Sequence, residues 1–555
     1  MTRLFETLSR THARALACLL ALSLAIFLPG LFAVQPMDRD EPRFAQASKQ
    51  MLETGDYVDI RFQDEARHKK PVGIYWLQTA TVSLAEKAGF ANARAEIGFY
   101  RIPSLIGAIG VVLLTYWTAI AFLSRPGALL AAALMAGSVL LGVEARLAKT
   151  DAVLAATAVA AMGALARVWL SAVAPTSTYR PGLANALVFW VAIGVGVLIK
   201  GPIVPLIPLG AAIILSIRER SAAWLKPLRP FLGVLIVAAI ALPWLVAIVM
   251  KTGTAFFAES IGKDMLGKVG GVAEKHWGPP GAYFLAFWGT FWPGAALVAL
   301  AAPFVWRERR DDAVLYLIVW ALPMWLVLEA MPTKLPHYVL PLFPALAILA
   351  AMAIERDALP ASEWRLKAAA ALVAIIPLGL LFGGPAAFVR LDGAIPVELA
   401  AVLAPFALLG LVAAALVARG MPREAMVMAL AACLPLSVAA YQYGLPRLES
   451  INLSRRLASA VERAACPSPE VASAGYREPS LVFLTSTNLR LVMGGEAAAF
   501  LSSRGEKCRV ALVESREEAA FRAALTGAPP VLLQRIQGVN INGGRKLDIG
   551  VWVAR

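Results

Sequence analysis

Charge is scarce in this chain. Only 16% of its 555 residues are Asp, Glu, Lys or Arg, whereas a soluble globular protein carries roughly a quarter. Cysteine and histidine are scarcer still, four of each. No CxxC pair and no finger-like Cys/His spacing occurs, which excludes a zinc-finger module. The polar C-terminal region has neither a GxGxxG after a strand nor a Walker motif, so its paired glycines at 494–495 and 543–544 read as turns rather than phosphate loops. The net charge of +15 could suggest nucleic acid, but the basic residues sit in short loops between apolar runs, where they set membrane orientation.

Apolar sequence is abundant. Hydrophobic residues make up 59% of the chain and the mean hydropathy is +0.67. A membrane span takes about 20 mostly apolar residues. Thirteen segments qualify, near 15–34, 101–122, 127–145, 151–172, 183–199, 202–217, 230–250, 282–304, 312–330, 337–354, 367–384, 397–418 and 424–443. The basic N-terminus (Arg3, Arg10, Arg14) and the long first run, with no small-residue cleavage site, read as an uncleaved first span. With the N-terminus cytoplasmic, the loops around Arg125, Arg180, Arg218, Lys226, Arg307, Arg356, Arg365 and Arg419 all fall on the cytoplasmic side, as the positive-inside rule requires. The tail then lies outside, in the periplasm of a Gram-negative-type cell.

The other face is different in kind. Its first loop, 35–100, mixes both signs of charge; within it 41–53 has helical apolar spacing, and the segment after Lys70 suggests a second interfacial helix. Further loops carry "EARLAKTD" (144–151), "IKGP" (199–202), a stretch of about 30 residues from Lys251, and "MPTKLPHY" (331–338). From 446 the composition becomes polar. Runs such as "SLVFLTS", "RVALVES", "PVLLQRI" and "KLDIGVWVAR" suggest strands, with helices at 453–465 and 515–525, hence a soluble α/β domain over 446–555 behind a transmembrane domain over 1–445. Cys18 and Cys433 lie in apolar runs and suit buried small hydrophobes. Cys466 and Cys508 lie in the tail, where a disulfide is an open alternative.

Several residues on the motif-bearing face suit chemistry. Asp40 and Glu41, ahead of Pro42, suit a helix start, and a carboxylate fixed on a helix end also suits orienting or deprotonating an acceptor. Lys69 and Lys70 before Pro71 suit a phosphate held at the interface, or simple anchoring. Asp151 again suits a helix cap, within a second mixed cluster with Arg146 and Lys149. Lys200 precedes a Gly-Pro turn. Lys334, His337 and Tyr338 form a short loop for which an interfacial belt is the plain explanation. Lys263, Lys268 and His276 lie in the long seventh loop. Carboxylates and cations from separate loops, gathered at one interface, suit a reaction in which a phosphate departs.

These residues resemble those of a known superfamily. "DEPRFAQASKQMLETGDYV", "KKPVGIYW", "TDAVLA", "IKGP" and "KLPHYVLPLFPALAIL" are similar, in the same order, to blocks of the glycosyltransferases that use lipid-linked sugars, including protein O-mannosyltransferases and bacterial lipid A aminoarabinose transferases. The tail domain and "KLPHY" favour the aminoarabinose branch. The resemblance implies the C-type glycosyltransferase fold and transfer of 4-amino-4-deoxy-L-arabinose from undecaprenyl phosphate to a phosphate of lipid A, at the periplasmic face of the inner membrane. It implies Asp40 (with Glu41) and Asp151 as catalytic carboxylates, and Arg43, Lys70, Lys200, Lys334 and Tyr338 as donor-phosphate or substrate contacts, with Lys263 of the seventh loop a further binding candidate. No cofactor is expected to be required; a single Zn or Mg, with His276 as its candidate ligand, stays open. The expected partners are the lipid-linked sugar, lipid A and membrane lipids, with the enzyme a monomer. The alternatives are an enzyme that glycosylates protein hydroxyls and, from another class, a lipid or sugar transporter, which would show paired repeats and midplane polar groups that are not apparent here.

Overall fold

The computed structural model describes residues 3–37, 39–173, 180–267, 277–360, 362–464, 469–503 and 508–554. Each of the thirteen apolar segments contains helix. Nine helices among the described residues are long and apolar enough to cross a bilayer, and the bent pair Ala282–Thr290 and Gly294–Arg307, at 119°, makes a tenth if it is one span. His12–Phe27 and Ile203–Glu219 are helices of 16 and 17 residues. The run expected at 127–145 is divided into Arg125–Gly137 and Val139–Glu144 by Ser138, whose extended ψ of 122° ends one helix. Its hydroxyl then accepts from the Leu141 N–H at the start of the next.

Asp151–Val173 is the central helix. It packs between Ile97–Ala119 and Leu183–Lys200 and is buried along most of its length. The peripheral Glu363–Asp392 and Pro230–Thr252 are mostly unburied. Their outward faces carry Phe231, Met250 and Phe382. A soluble protein rarely tolerates such a surface; lipid matches it. The chain is a multi-pass membrane protein.

The two ends of the bundle are chemically distinct. At one end Arg125 donates to the Arg10 carbonyl, Ser124 bonds Glu355, Arg218 pairs with Asp312, Arg356 with Asp311, and Arg423 with Asp357. These short basic loops therefore share one end. The loops bearing the candidate residues meet at the other.

The helix Asp40–Thr54 and the helix Gly73–Lys87 form where helices were expected after the first span. Beyond the final helices, Leu453–Glu462 leads into a five-stranded sheet. Its spatial order is Arg490–Val492, Glu470–Ala474, Arg509–Glu514, Arg545–Val553, Val531–Asn540. The first two pairings are parallel and the last two antiparallel. Leu453, Leu457 and Val461, one face of their helix, pack with Val510, Leu512, Ile549 and Val551 on one side of the sheet, while Phe500, Phe521 and Trp552 pack on the other. The α/β character is as expected, but "SLVFLTS" is a helix, Pro479–Leu484, rather than a strand. A short apolar run does not distinguish the two; Pro479 at its first turn and burial of Leu481, Val482 and Phe483 settle it as helix. Cys433 is buried and Cys18 half-buried. Cys508 is disulfide-bonded; the suggested pairing with Cys466 falls on a residue outside those described.

Candidate active site

The helix Asp40–Thr54 separates two adjacent carboxylates that the sequence leaves equivalent. Arg39, not Asp40, is its N-cap, and no side chain caps it. Both acids lie in the first turn, where the N–H groups favour negative charge. Glu41 turns inward and is fully buried. Arg101 grips it with two bonds, Nε to Oε1 at 2.7 Å and Nη2 to Oε2 at 3.0 Å. The Ala148 N–H also donates to Glu41, at 3.0 Å. Arg101 further donates to the carbonyls of Leu31 and Val34 at 2.8 and 2.6 Å. Glu41, expected as a partner in catalysis, is placed as the strut joining the end of the first span, the start of the second, and the 145–150 loop.

Asp40 faces outward, with its side chain 53% exposed. Arg43 Nη1 lies 3.7 Å and Arg67 Nη2 3.9 Å from its Oδ1. Burial by itself would raise the Asp40 pKa; the charges of Arg67, Lys149, Arg43 and Lys69 outweigh it and hold the carboxyl below its ordinary 3.8. Any stability from these pairings is therefore complete above 3.8 and is lost only as pH falls through the lower folded value. Arg67 lies over the Phe44 ring at 4.9 Å, and Phe44 packs on Tyr75. Lys69 is exposed and the neighbouring Lys70 half-buried on the same loop.

A second group lies beside this one. Asp151 and Lys200 form a buried ion pair. His337 Nε2 is 3.7 Å from Asp151 Oδ1, and its Nδ1 is 3.6 Å from Glu144 Oε1. Lys149 Nζ is 3.5 Å from the same Glu144 oxygen. Lys200 also lies over the Tyr338 ring at 5.3 Å. The two groups share a field: Lys149 acts on Asp40, and Asp40 on His337. Shared supports hold them. Gln78 donates to the Ala148 carbonyl at 3.0 Å and Ser104 to that of Lys149 at 3.1 Å.

Lys200 reaches Asp151 because its helix stops there. Gly201 ends it at φ +72°, ψ −146°, a conformation open essentially to glycine alone. Gly201→Ala is expected to cost about 1–3 kcal/mol, read as a lowered unfolding temperature in detergent, although no atom lies within 4 Å of the added Cβ.

The remaining expected residues are placed differently. Lys334 donates to the carbonyls of Leu328, Glu329 and Met331 at 2.9, 2.6 and 2.6 Å and sits 3.7 Å from Glu329 Oε2. It caps the end of Asp312–Ala330, where a cation is favoured, rather than joining the Asp151 group. Lys263 is exposed on Ala258–Leu266, a segment that touches the 68–69 loop through Glu259 and Ser260. His276 and Lys268 lie outside the described residues. Among the described residues Glu144, Asp151 and His337 bring three potential metal-ligand atoms within 4.8 Å of one another. Lys149 and Lys200 pair with the same two carboxylates.

Arg67, Glu144 and Arg101 are additions to the expected set. Arg67 lies two residues before the "KK" pair at 69–70 and has no motif of its own. Arg101 carried a usable signal: an Arg at the head of an apolar run demands a partner. For His337 the sequence leaves an interfacial belt and a place in the charged loop both open; the fold turns it toward Asp151.

A family described as dolichyl-phosphate-mannose-protein mannosyltransferase matches residues 69–246. Over nearly its full length, 97% of this chain and 98% of the other, the chain superposes on ArnT from Cupriavidus metallidurans bound to undecaprenyl phosphate, with a TM-score of 0.76 at 17% identity. The fold is that of the C-type glycosyltransferases. Curated relatives are similar in sequence as well. The undecaprenyl phosphate-alpha-4-amino-4-deoxy-L-arabinose arabinosyl transferase of Erwinia tasmaniensis is 28% identical over 56% of this chain and 54% of its own. That of Edwardsiella ictaluri is 28% identical over 61% and 59%. The chain thus spans a little over half the length of these relatives, and it resembles the aminoarabinose transferases in fold and in sequence.

Proposed function

We propose that this protein is a membrane glycosyltransferase that moves a sugar, 4-amino-4-deoxy-L-arabinose, from undecaprenyl phosphate to a phosphate of lipid A at the periplasmic face of the bacterial inner membrane. One observation carries the reading. Five cations, Arg43, Arg67, Lys69, Lys149 and Lys200, surround three carboxylates, Asp40, Glu144 and Asp151, at the motif-bearing end of the spans, and Lys70 follows Lys69 on the same loop. The excess of positive charge calls for an anionic substrate, and its position at the ends of apolar helices suits one anchored by a lipid chain. The relatives named for undecaprenyl-phosphate-linked aminoarabinose support this choice of sugar and carrier.

In this reaction the bond between the anomeric carbon and the donor phosphate oxygen breaks, and the electron pair leaves with the phosphate. An acceptor phosphate oxygen forms the new bond to the same carbon. Arg43, Arg67, Lys70 and Lys200, with Tyr338 beside Lys200, hold the donor phosphate and stabilise the charge gathering on it. Asp40 and Asp151 orient the acceptor and the amino group of the sugar; Glu41 positions Asp40. Lys149 and Lys200 supply positive charge from the chain itself, so no cofactor is required in this scheme, and one chain contributes every residue named. The tail domain then lies on the periplasmic side, over the site.

An ionised phosphate acceptor needs no general base, and although burial alone would raise it, the charges of Arg67, Lys149, Arg43 and Lys69 hold the Asp40 carboxyl below its ordinary range. Transfer is therefore expected to show no rising limb between pH 5 and 8 that Asp40→Asn removes, while Asp40→Asn lowers the rate across that whole range. A steep rise abolished by Asp40→Asn would assign Asp40 as a base. The mannosyltransferase match over 69–246 favours, as a second reading, an acceptor hydroxyl on protein. Offering purified protein both lipid A and Ser/Thr peptides with the same donor separates the two: label is expected in lipid A, and label in peptide alone would overturn the first reading.

A further inference from the structure

The helix that carries Asp40 is held from two opposite sides. At about 100° per residue, Arg39, Gln46, Lys49 and Glu53 fall within an arc of roughly 80°, and Glu41, Phe44 and Ser48 lie about opposite. The second face belongs to the membrane bundle: Glu41 to Arg101, Phe44 to Tyr75, and the Ser48 hydroxyl to Gln78 at 2.6 Å. The first face meets the C-terminal domain. Gln46, fully buried, donates to the Thr487 hydroxyl at 2.7 Å. Lys49 donates to the Phe483 carbonyl at 3.2 Å, and Thr487 donates to Glu53 at 2.7 Å. Gln63, tied to Gln50, adds bonds to the carbonyls of Thr487 and Leu489 at 2.9 and 2.7 Å.

Glu478 is the centre of this contact. It is buried, and four N–H donors converge on it: Arg39 Nε and Nη2, each at 3.1 Å, Asn540 at 2.8 Å and Asn542 at 3.1 Å. As the residue before Pro479–Leu484 it is placed to cap that helix, yet its side chain makes no capping bond. Its carboxylate is committed to Arg39, the residue immediately before Asp40, and to the turn between the last two strands.

We propose that the C-terminal domain is a working part of the active site, and that Glu478 is a positioning residue which, through Arg39, fixes the first turn of the helix bearing Asp40. Asp40 projects from the edge between the two gripped faces. A fixed backbone there sets the carboxylate against Arg43 and Arg67 without Glu478 touching substrate. Misplacement of a reacting group by an ångström, caused far from the chemistry, can cost about 100-fold in rate. The effect on catalysis rests on the proposed transfer reaction; the grip itself does not.

The test uses the full chain in lipid nanodiscs, with Glu478→Ala, Arg39→Ala, the double variant, and the exchanged pair Arg39→Glu with Glu478→Arg. Amide hydrogen exchange over residues 39–54 and transfer kinetics are both measured. Either single variant is expected to raise exchange in 39–46 and to lower kcat by about 10- to 100-fold with KM little changed. The double variant is expected to be no worse than the singles, and the exchanged pair to recover much of the loss. Glu478→Gln, which keeps shape and one acceptor, covers a failure of Glu478→Ala to fold, and is expected to lie between wild type and Arg39→Ala. Arg516→Ala, which removes an exposed side chain of the same domain and leaves its buried partner Glu514 paired with Arg545, is expected to change neither readout. Wild-type exchange and kcat in both singles, or additive losses in the double, would overturn the proposal. A wild-type protein that transfers nothing would defeat the transfer reading, while the exchange data would still decide whether Glu478 holds the helix.

Discussion

Asp151→Asn is expected to lower transfer by about 10²- to 10³-fold, mostly in kcat. Asp151 is buried against Lys200 and 3.7 Å from His337. The amide keeps the shape but removes the negative charge that directs both partners. Lys200 is then free to bind an anion more strongly, so the KM for the donor lipid is expected to stay level or fall while turnover collapses. Steady-state kinetics with a synthetic polyprenyl-phosphate sugar separates the two constants. A higher KM with unchanged kcat would mean that Asp151 only helps to bind substrate.

Arg101→Ala is expected to be the most damaging change to stability, about 3–5 kcal/mol. It would leave the Glu41 carboxylate buried with the Ala148 N–H as its remaining protein donor, and strip the carbonyls of Leu31 and Val34 of theirs. Low yield from membranes and a lower unfolding temperature in detergent, followed by tryptophan fluorescence, are the expected results. Replacing both Glu41 and Arg101 with Leu is expected to recover part of the loss, because no unpaired buried charge remains. A wild-type unfolding temperature for Arg101→Ala would remove the strut from the site.

What could be read from the sequence follows the range of the interactions involved. Spans are local, long and apolar, so each of the thirteen segments holds helix, whereas their ends depend on distant partners. The first span was expected to reach Val34, but helix stops at Phe27. Gly30 adopts φ +83° against Tyr441, and the carbonyls that follow turn toward Arg101. Nothing near residue 30 announces either partner. The site behaves in the same way. That charged loops gather at one end was legible from the way short basic loops alternate with motif-bearing ones along the chain. Which member of each cluster does what was not. Asp40 and Glu41 are adjacent in sequence, and helix geometry sends one outward and the other to Arg101. Lys334 and His337 share a motif, yet Lys334 caps a helix end and His337 turns to Asp151. Motif membership fixes a neighbourhood; side-chain direction is decided by packing.

The central claim is that the cation-rich end of the bundle receives the phosphate of a lipid-linked donor. Binding of undecaprenyl phosphate to the purified protein in nanodiscs measures this directly, comparing wild type, Arg43→Ala, Lys70→Ala and, as a control from the opposite end, Arg365→Ala. Both site variants are expected to bind about 10-fold or more weakly, the loss expected for a hydrogen bond to a charged group, with Arg365→Ala unchanged. Wild-type affinity in both site variants, or an equal loss in all three, would contradict it.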